Sequence, residues 1–183
     1  MRKGVFQNLL REHKDRVYSY AFYFLRDRDD AEDVTQEVFI KLWEHKERID
    51  QRRLVPWMMR VTHNRCIDMI RQRKGNRRLN GAGGFLEQTV ADADPSAHPG
   101  SRLEASETQR LLLEAMDALP ERTKSMLLMH YFQGLKYEEI GGILNAKLST
   151  VKVAVHRGRK ALKEALSDQF TERAGERSHE SAM

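Results

Sequence analysis

Apolar residues recur at spacings of three and four along almost the whole chain, and nowhere do they alternate with polar ones over the length of a strand. That period permits helices packed on helices and excludes a sheet core, so the expected class is all-α. Val5, Phe6, Leu9, Leu10, Val17, Tyr20, Ala21, Phe24 and Leu25 form a broad stripe on a first helix. Asp27, Asp29 and Asp30 then break the chain and supply the acidic first turn of a second helix over 31–45, with Ala31, Val34, Val38 and Leu42 inward. Pro56 suits the first turn of a third helix running to about Lys74, with Trp57, Val61, Ile67 and Ile70 available for packing.

The period stops at "GNRRLNGAGGFLEQTVADADPSAHPG", residues 75–100, which holds five of the 11 glycines and two of the 4 prolines and reads as a flexible linker. It resumes near Leu103, with Leu111, Leu112, Ala115 and Met116 on one side of a helix that Pro120 ends. Helices over 120–132, 137–144 and 149–166 follow, and the polar residues 169–183 are expected to be disordered. The expected organisation is thus two small helical domains, 1–75 and 105–168, on a linker over 76–104, with a tail over 169–183.

A formal charge of +5 favours an acidic partner, but its distribution says more than its sum. Residues 1–75 hold 17 Lys and Arg against 12 Asp and Glu, and 105–168 hold 10 against 8. Within the first domain the acids crowd into 27–50, whereas 51–67 holds none and carries Arg52, Arg53, Arg60 and Arg65. An acidic half beside a basic half suggests two different partners. Cys66 is the lone cysteine, expected to be a small buried residue in a reducing compartment. No apolar run approaches a membrane span and residues 1–10 lack the core of a signal peptide, so a cytoplasmic protein without membrane insertion is expected.

The stretch "ILNAKLSTVKVAVHRGRKALK", residues 143–163, has five basic side chains besides Lys147 and no carboxylate. A helix needing only solubility would mix Glu with Lys at helical spacing, so this one anticipates a polyanion. Residues 137–166 fit a helix-turn-helix: "YEEIGGIL", a turn "NAK" with Asn145 tolerant of positive φ, and a second helix capped by Ser149 or Thr150. Gly141 lets the two helices approach, whereas Gly142 has no such reason to be glycine. Val151, Val155 and Leu162 fit the inward face. Lys152, His156 and Arg157 fall where a recognition helix touches bases, and Arg159, Lys160 and Lys163 where it touches phosphate. A solvated basic helix is the plain alternative. The motif alone leaves open whether its owner represses, activates or initiates transcription. Seven histidines lie too far apart for a helical metal pair, and there is no nucleophile elbow or phosphate loop, so no catalytic or metal site and no cofactor is expected.

"DAEDVTQEVFIKLWEHKERI" (30–49), "WMMRVTHNRCIDMIRQRK" (57–74) and "LPERTKSMLLMHYFQGLKYEEIGGILNAKLSTVKVAVHRGRKAL" (119–162) resemble, in order and spacing, the conserved regions of bacterial sigma factors of the extracytoplasmic-function (ECF) group. The resemblance implies a first domain that binds core RNA polymerase and opens the minus-ten promoter element, and a second that reads the minus-thirty-five element. It implies Asp33, Gln36, Glu37 and Lys41 at the polymerase clamp, although spacing alone also allows ordinary polar surface there. It implies Arg53, Trp57, Arg60, His63, Asn64, Arg71 and Lys74 on minus-ten DNA. Asn64 falls at the pocket for an extruded base, walled by the loop 48–55; helical spacing alone leaves it open to a packing role. Ser149, Thr150, Lys152, Val153, His156, Arg157, Arg159, Lys160 and Lys163 would then meet minus-thirty-five DNA. Val153 and Ala154 stand where the family often has Ser-Arg or Arg-Arg, so promoter preference does not transfer. An anti-sigma protein as partner, and a stress or envelope signal, are also implied.

Overall fold

A computed structural model describes residues 3–79 and 102–180, and among them every regular element is helical. Helix α1 (Lys3–Leu25) ends where Arg26 takes a left-handed φ of 61°, its N–H returning to Phe22 O at 2.8 Å. Asp27 then caps α2 (Arg28–His45), its Oδ1 accepting from the Asp30 N–H at 3.0 Å. The aspartate cluster thus does start this helix. Its buried face contains Ala31, Val34, Val38 and Leu42, as the spacing predicts.

A short 3-10 turn over Gln51–Arg53 follows, capped by Asp50 Oδ1 on the Arg52 N–H at 2.9 Å, and leads into α3 (Leu54–Leu79). Pro56 falls in the first turn of α3, where its missing N–H costs nothing. The packing face of α3 differs from expectation. Leu54, Met58, Met59, Thr62 and Cys66 are the buried residues, whereas Trp57, Val61, Ile67 and Ile70 are only half-buried. The reason is that α3 is packed on two sides, so Trp57 and Val61 are left lining a cavity and Ile67 a cleft.

The second half comprises α4 (Arg102–Asp117), α5 (Glu121–Leu127), α6 (Tyr137–Leu144) and α7 (Leu148–Glu180). Between α5 and α6, residues Leu128–Phe132 form one widened turn, closed by the Gln133 N–H on Leu128 O at 3.1 Å. Helices α3 and α4 both extend into the expected linker, leaving residues 80–101 outside the described part. Helix α7 extends through the expected tail as far as Glu180, and residues 181–183 lie outside the described part. Residues 169–180 contain no proline, and a scarcity of apolar side chains removes packing without stopping a helix already begun at Leu148.

The two helical halves expected from the sequence also pack against each other. One buried cluster runs from Tyr20, Phe24 and Met58 to Met126, Met129 and Ile140. Tyr23 lies 5.0 Å from the ring of Phe132, and Gln133 Nε2 donates to Ser19 Oγ at 3.4 Å. Each half keeps an apolar side that the other covers, which period counting cannot reveal.

Candidate nucleic-acid interface

The helix-turn-helix forms as its sequence dictates. The Glu139 carboxylate accepts from the Lys136 N–H at 2.8 Å and starts α6. Asn145 ends it in the left-handed region at φ 48°, and the Ala146 N–H closes on Gly141 O at 2.9 Å. A methyl group on Gly141 would meet Ala146 O at 2.8 Å, whereas nothing lies within 4 Å of the same position on Gly142. Helix α7 starts one residue earlier than expected, because the Val151 N–H bonds Lys147 O at 3.1 Å. Ser149 and Thr150 therefore occupy its first turn, exposed, instead of capping it.

Val151 and Val155 are buried, and so is Gly158, where an added methyl would meet Thr123 Cγ2 at 2.7 Å and Leu127 Cδ1 at 2.8 Å. That glycine seats α7 against α5. Lys152, Val153, His156, Arg157, Arg159, Lys160 and Lys163 are all exposed. Among the described residues, Lys160 pairs weakly with Glu164 at 3.6 Å within the same helix. A cationic ridge on a helix held at a fixed angle by a tight turn is suited to a duplex groove. Ser149, Thr150, Val153, Ala154 and Arg157, with Thr123 behind them, line a shallow depression at its N-terminal end.

In the first half, a cavity of about 620 Å³ opens between α2, α3 and the loop joining them. Arg48, Ile49, Asp50 and Arg53 of the loop wall it, and Trp57, Val61 and Asn64 of α3 form its floor. Asn64 is exposed, which removes the packing reading. The four residues grouped on α2 divide. Asp33 and Gln36 are exposed, in line with Ile40, which is 58% exposed. Glu37 and Lys41 turn toward the cavity. There the half-buried Glu37 carboxylate meets Lys41 Nζ at 2.8 Å and Arg65 Nε at 2.5 Å, and these cations, Lys41 first, hold its pKa below the usual range.

The remaining residues placed on minus-ten DNA face the second half of the chain. Arg60 donates to Gly142 O at 2.5 Å, and Lys74 Nζ meets Glu121 Oε1 at 2.6 Å. His63 shares its Nδ1 with Tyr20 Oη at 3.0 Å and Ser125 Oγ at 3.5 Å. Burial, with Arg122 adding to it, pushes the His63 pKa down to about 4. Asn64 and Arg71 line a cleft closed on its far side by Arg122, Leu144 and Asn145.

Three participants escaped sequence reading. Arg65 stands in the acid-free basic run and could have been paired with Glu37. Ile40 is an apolar residue off the buried stripe of α2, a signal of exposure. Lys124, buried between the halves, gives no local sign.

Comparison with known proteins decides the family. The sigma-70 region 2 pattern matches residues 9–76 and the sigma-70 region 4 pattern residues 109–162. The chain is 33% identical over 174 residues to the ECF RNA polymerase sigma factor SigW of Bacillus subtilis, covering 91% of each chain. The chain belongs to the ECF sigma-factor family. It is also 35% identical over 169 residues to the ECF sigma factor SigE of Mycolicibacterium smegmatis, a match that takes in 91% of this chain and 63% of that protein. Among solved structures, the sigma factor RpoE bound to the anti-sigma factor NepR from Bartonella quintana shares the fold at a TM-score of 0.74 and 21% identity, with 88% of this chain and 96% of that one covered. CnrH in complex with the cytosolic domain of CnrY shares it at a TM-score of 0.66 and 18% identity, over 91% and 90%. Among the described residues of this ECF chain, no helix is long and apolar enough to cross a membrane.

Proposed function

We propose that this chain is a promoter-specific transcription initiation factor that binds core RNA polymerase, reads the minus-thirty-five element with α7 and helps open the minus-ten element at the α2–α3 cavity. The observation that carries this reading is the presence, on one chain of the ECF family, of an exposed cationic recognition helix and a separate concave site floored by Trp57 and Asn64. A regulator that only binds duplex DNA needs the first and has no use for the second.

Each site has a distinct task. A base extruded from the duplex must be held by stacking and by hydrogen bonds to its edge. Trp57 supplies an aromatic face, the Asn64 amide a donor and an acceptor, and Arg53 a cation for the neighbouring phosphate. On α7, Lys152, His156 and Arg157 reach base edges while Arg159, Lys160 and Lys163 follow the backbone, with the Ser149 and Thr150 hydroxyls at the helix N-terminus. The exposed Asp33, Gln36 and Ile40 offer the polymerase an apolar spot rimmed by polar groups, the usual make-up of a binding hot spot. Glu37 serves that surface from beneath by tying α2 to Arg65 of α3, while Lys41 pairs with it along α2. The solved complexes of RpoE with NepR and of CnrH with CnrY support a regulator of the anti-sigma kind for this chain too, released by a stress or envelope signal.

Asn64→Ala tests the minus-ten assignment. Its partner exists only once a base has left the stack, so permanganate footprinting should reveal reduced promoter opening while closed-complex binding stays within about twofold. Normal opening by a folded Asn64→Ala protein overturns the assignment.

A further inference from the structure

Val153 is 47% exposed in the middle of the cationic ridge of α7. A lone exposed valine needs no explanation on an ordinary surface, but a ridge built to meet a polyanion has every reason to hold another cation there. At 100° per residue Val153 stands about 160° round the helix from both Val151 and Val155, which are buried against the rest of the second half. It therefore faces directly away from the core. Ser149 one turn before it and Arg157 one turn after it share that outward line, and both are exposed. With Thr150, Ala154 and, from α5, Thr123, these residues line the depression beside the ridge. Its wall thus joins hydroxyls, methyl groups and a single guanidinium.

The chemistry of that wall selects among the groups a duplex can offer. Val153 has neither donor nor acceptor in its side chain, so a phosphate gains nothing from it. A base N–H or C=O pressed against it would lose its water without replacement. Among the four base edges in the major groove only thymine presents an apolar group, its C5-methyl. Arg157 is the fork suited to a guanine edge, and it lies one turn, about 5.4 Å, farther along the axis. At about 3.4 Å per base-pair step the two contacts fall within about two base pairs of each other.

We propose that Val153 is a specificity-determining residue that selects a thymine through its methyl group in the duplex element bound by α7, beside the base pair read by Arg157. This selection rests on α7 being the duplex-reading helix, and it names the base that one residue of that helix prefers.

A methyl deletion on the DNA tests it. Sequences are selected from a random duplex library by the full chain bound to core RNA polymerase, with core alone as the control. Arg157→Ala then marks its own base pair as the one at which discrimination relaxes. Each enriched thymine in the window of about two base pairs on either side is replaced by deoxyuridine, which keeps the pairing and the O4 acceptor and removes only the methyl group. One such replacement should weaken wild-type binding about fourfold, the worth of one buried methyl group. Val153→Ser should bind the thymine duplex about fourfold more weakly and be indifferent to deoxyuridine at that position. Val153→Ile, which keeps a branched apolar end, should retain the preference. The position is exposed, so both variants should fold as wild type does, with circular dichroism as the check. Deoxyuridine that costs wild type and Val153→Ser equally overturns the assignment to Val153. No enriched thymine in the window, or no deoxyuridine effect there, overturns methyl reading altogether. A selected sequence that depends on Arg157 without either effect keeps α7 as the duplex reader and removes only the role of Val153, whereas no selection beyond core alone removes both.

Discussion

Gly141 and Gly142 are adjacent in α6, yet replacing each with alanine should act in opposite directions. Both are interior to the same helix, so both substitutions gain the same propensity, about 1 kcal/mol. They differ in what the new methyl meets. At Gly142 nothing lies within 4 Å, and Gly142→Ala should stabilise the chain by most of that 1 kcal/mol. At Gly141 the methyl would sit 2.8 Å from Ala146 O, a backbone atom of the turn that orients α7. Backbone cannot swing aside as a side-chain end does, so the turn must shift, at a cost of about 1–3 kcal/mol. Because the propensity gain cancels in the comparison, the difference between the variants measures the contact alone. For a chain of this size 1 kcal/mol moves Tm by about 2–4 °C, so the two midpoints should separate by about 2–12 °C, with Gly142→Ala the higher. Gly141→Ala should also weaken duplex binding, since the angle of α7 depends on that turn. Differential scanning calorimetry checks the first point and fluorescence anisotropy with promoter duplex the second. Equal midpoints would refute the reasoning.

On α7, Arg157→Ala should lose about 1–3 kcal/mol on a matched promoter and relax discrimination at one base pair. Lys163→Ala should instead weaken all sequences alike and lower the salt slope by about one unit, and equal loss of discrimination from both variants would contradict the division of labour. His63 should make the folded chain sensitive to acid. Its pKa is 6.5 when unfolded and about 4 when folded, so between these values the unfolded chain takes up a proton that the folded one refuses. Stability therefore falls as pH drops from 6.5 toward 4, by about 3 kcal/mol at the bottom of the window. Denaturant titrations of wild type and His63→Gln across that range isolate the effect, and parallel curves would show that His63 carries none of it.

What was legible in the sequence is what neighbouring residues decide. The Asp27 cap, the buried stripe of α2, the left-handed Asn145 and the outward cations of α7 all follow from residues within a turn or two of each other. Gly158 was within reach as well, because a glycine inside a recognition helix is costly enough to require a close neighbour. The rest depends on partners far along the chain. The hydrogen bond from Lys124 to Phe24 O joins residues 100 positions apart, and that from Arg60 to Gly142 O joins residues 82 apart. Neither side of such a pair has any periodicity that names the other. The burial of His63 and the turning of Glu37 toward α3 are hidden for the same reason, since each is set by the helix packed against it. The extent of α7 into residues 169–180 is a different kind of case: low apolar content argues against packing and says nothing against helix.

The most direct measurement of the central claim is run-off transcription by purified core RNA polymerase on a library of promoter-sized duplexes, with and without this chain. The account predicts transcripts starting at defined positions on a subset of templates only when the chain is present, with Asn64→Ala and Arg157→Ala each reducing their yield. Core polymerase whose start sites are unchanged by the chain, while the chain alone still binds duplex DNA, would contradict it and leave a duplex-binding regulator in its place.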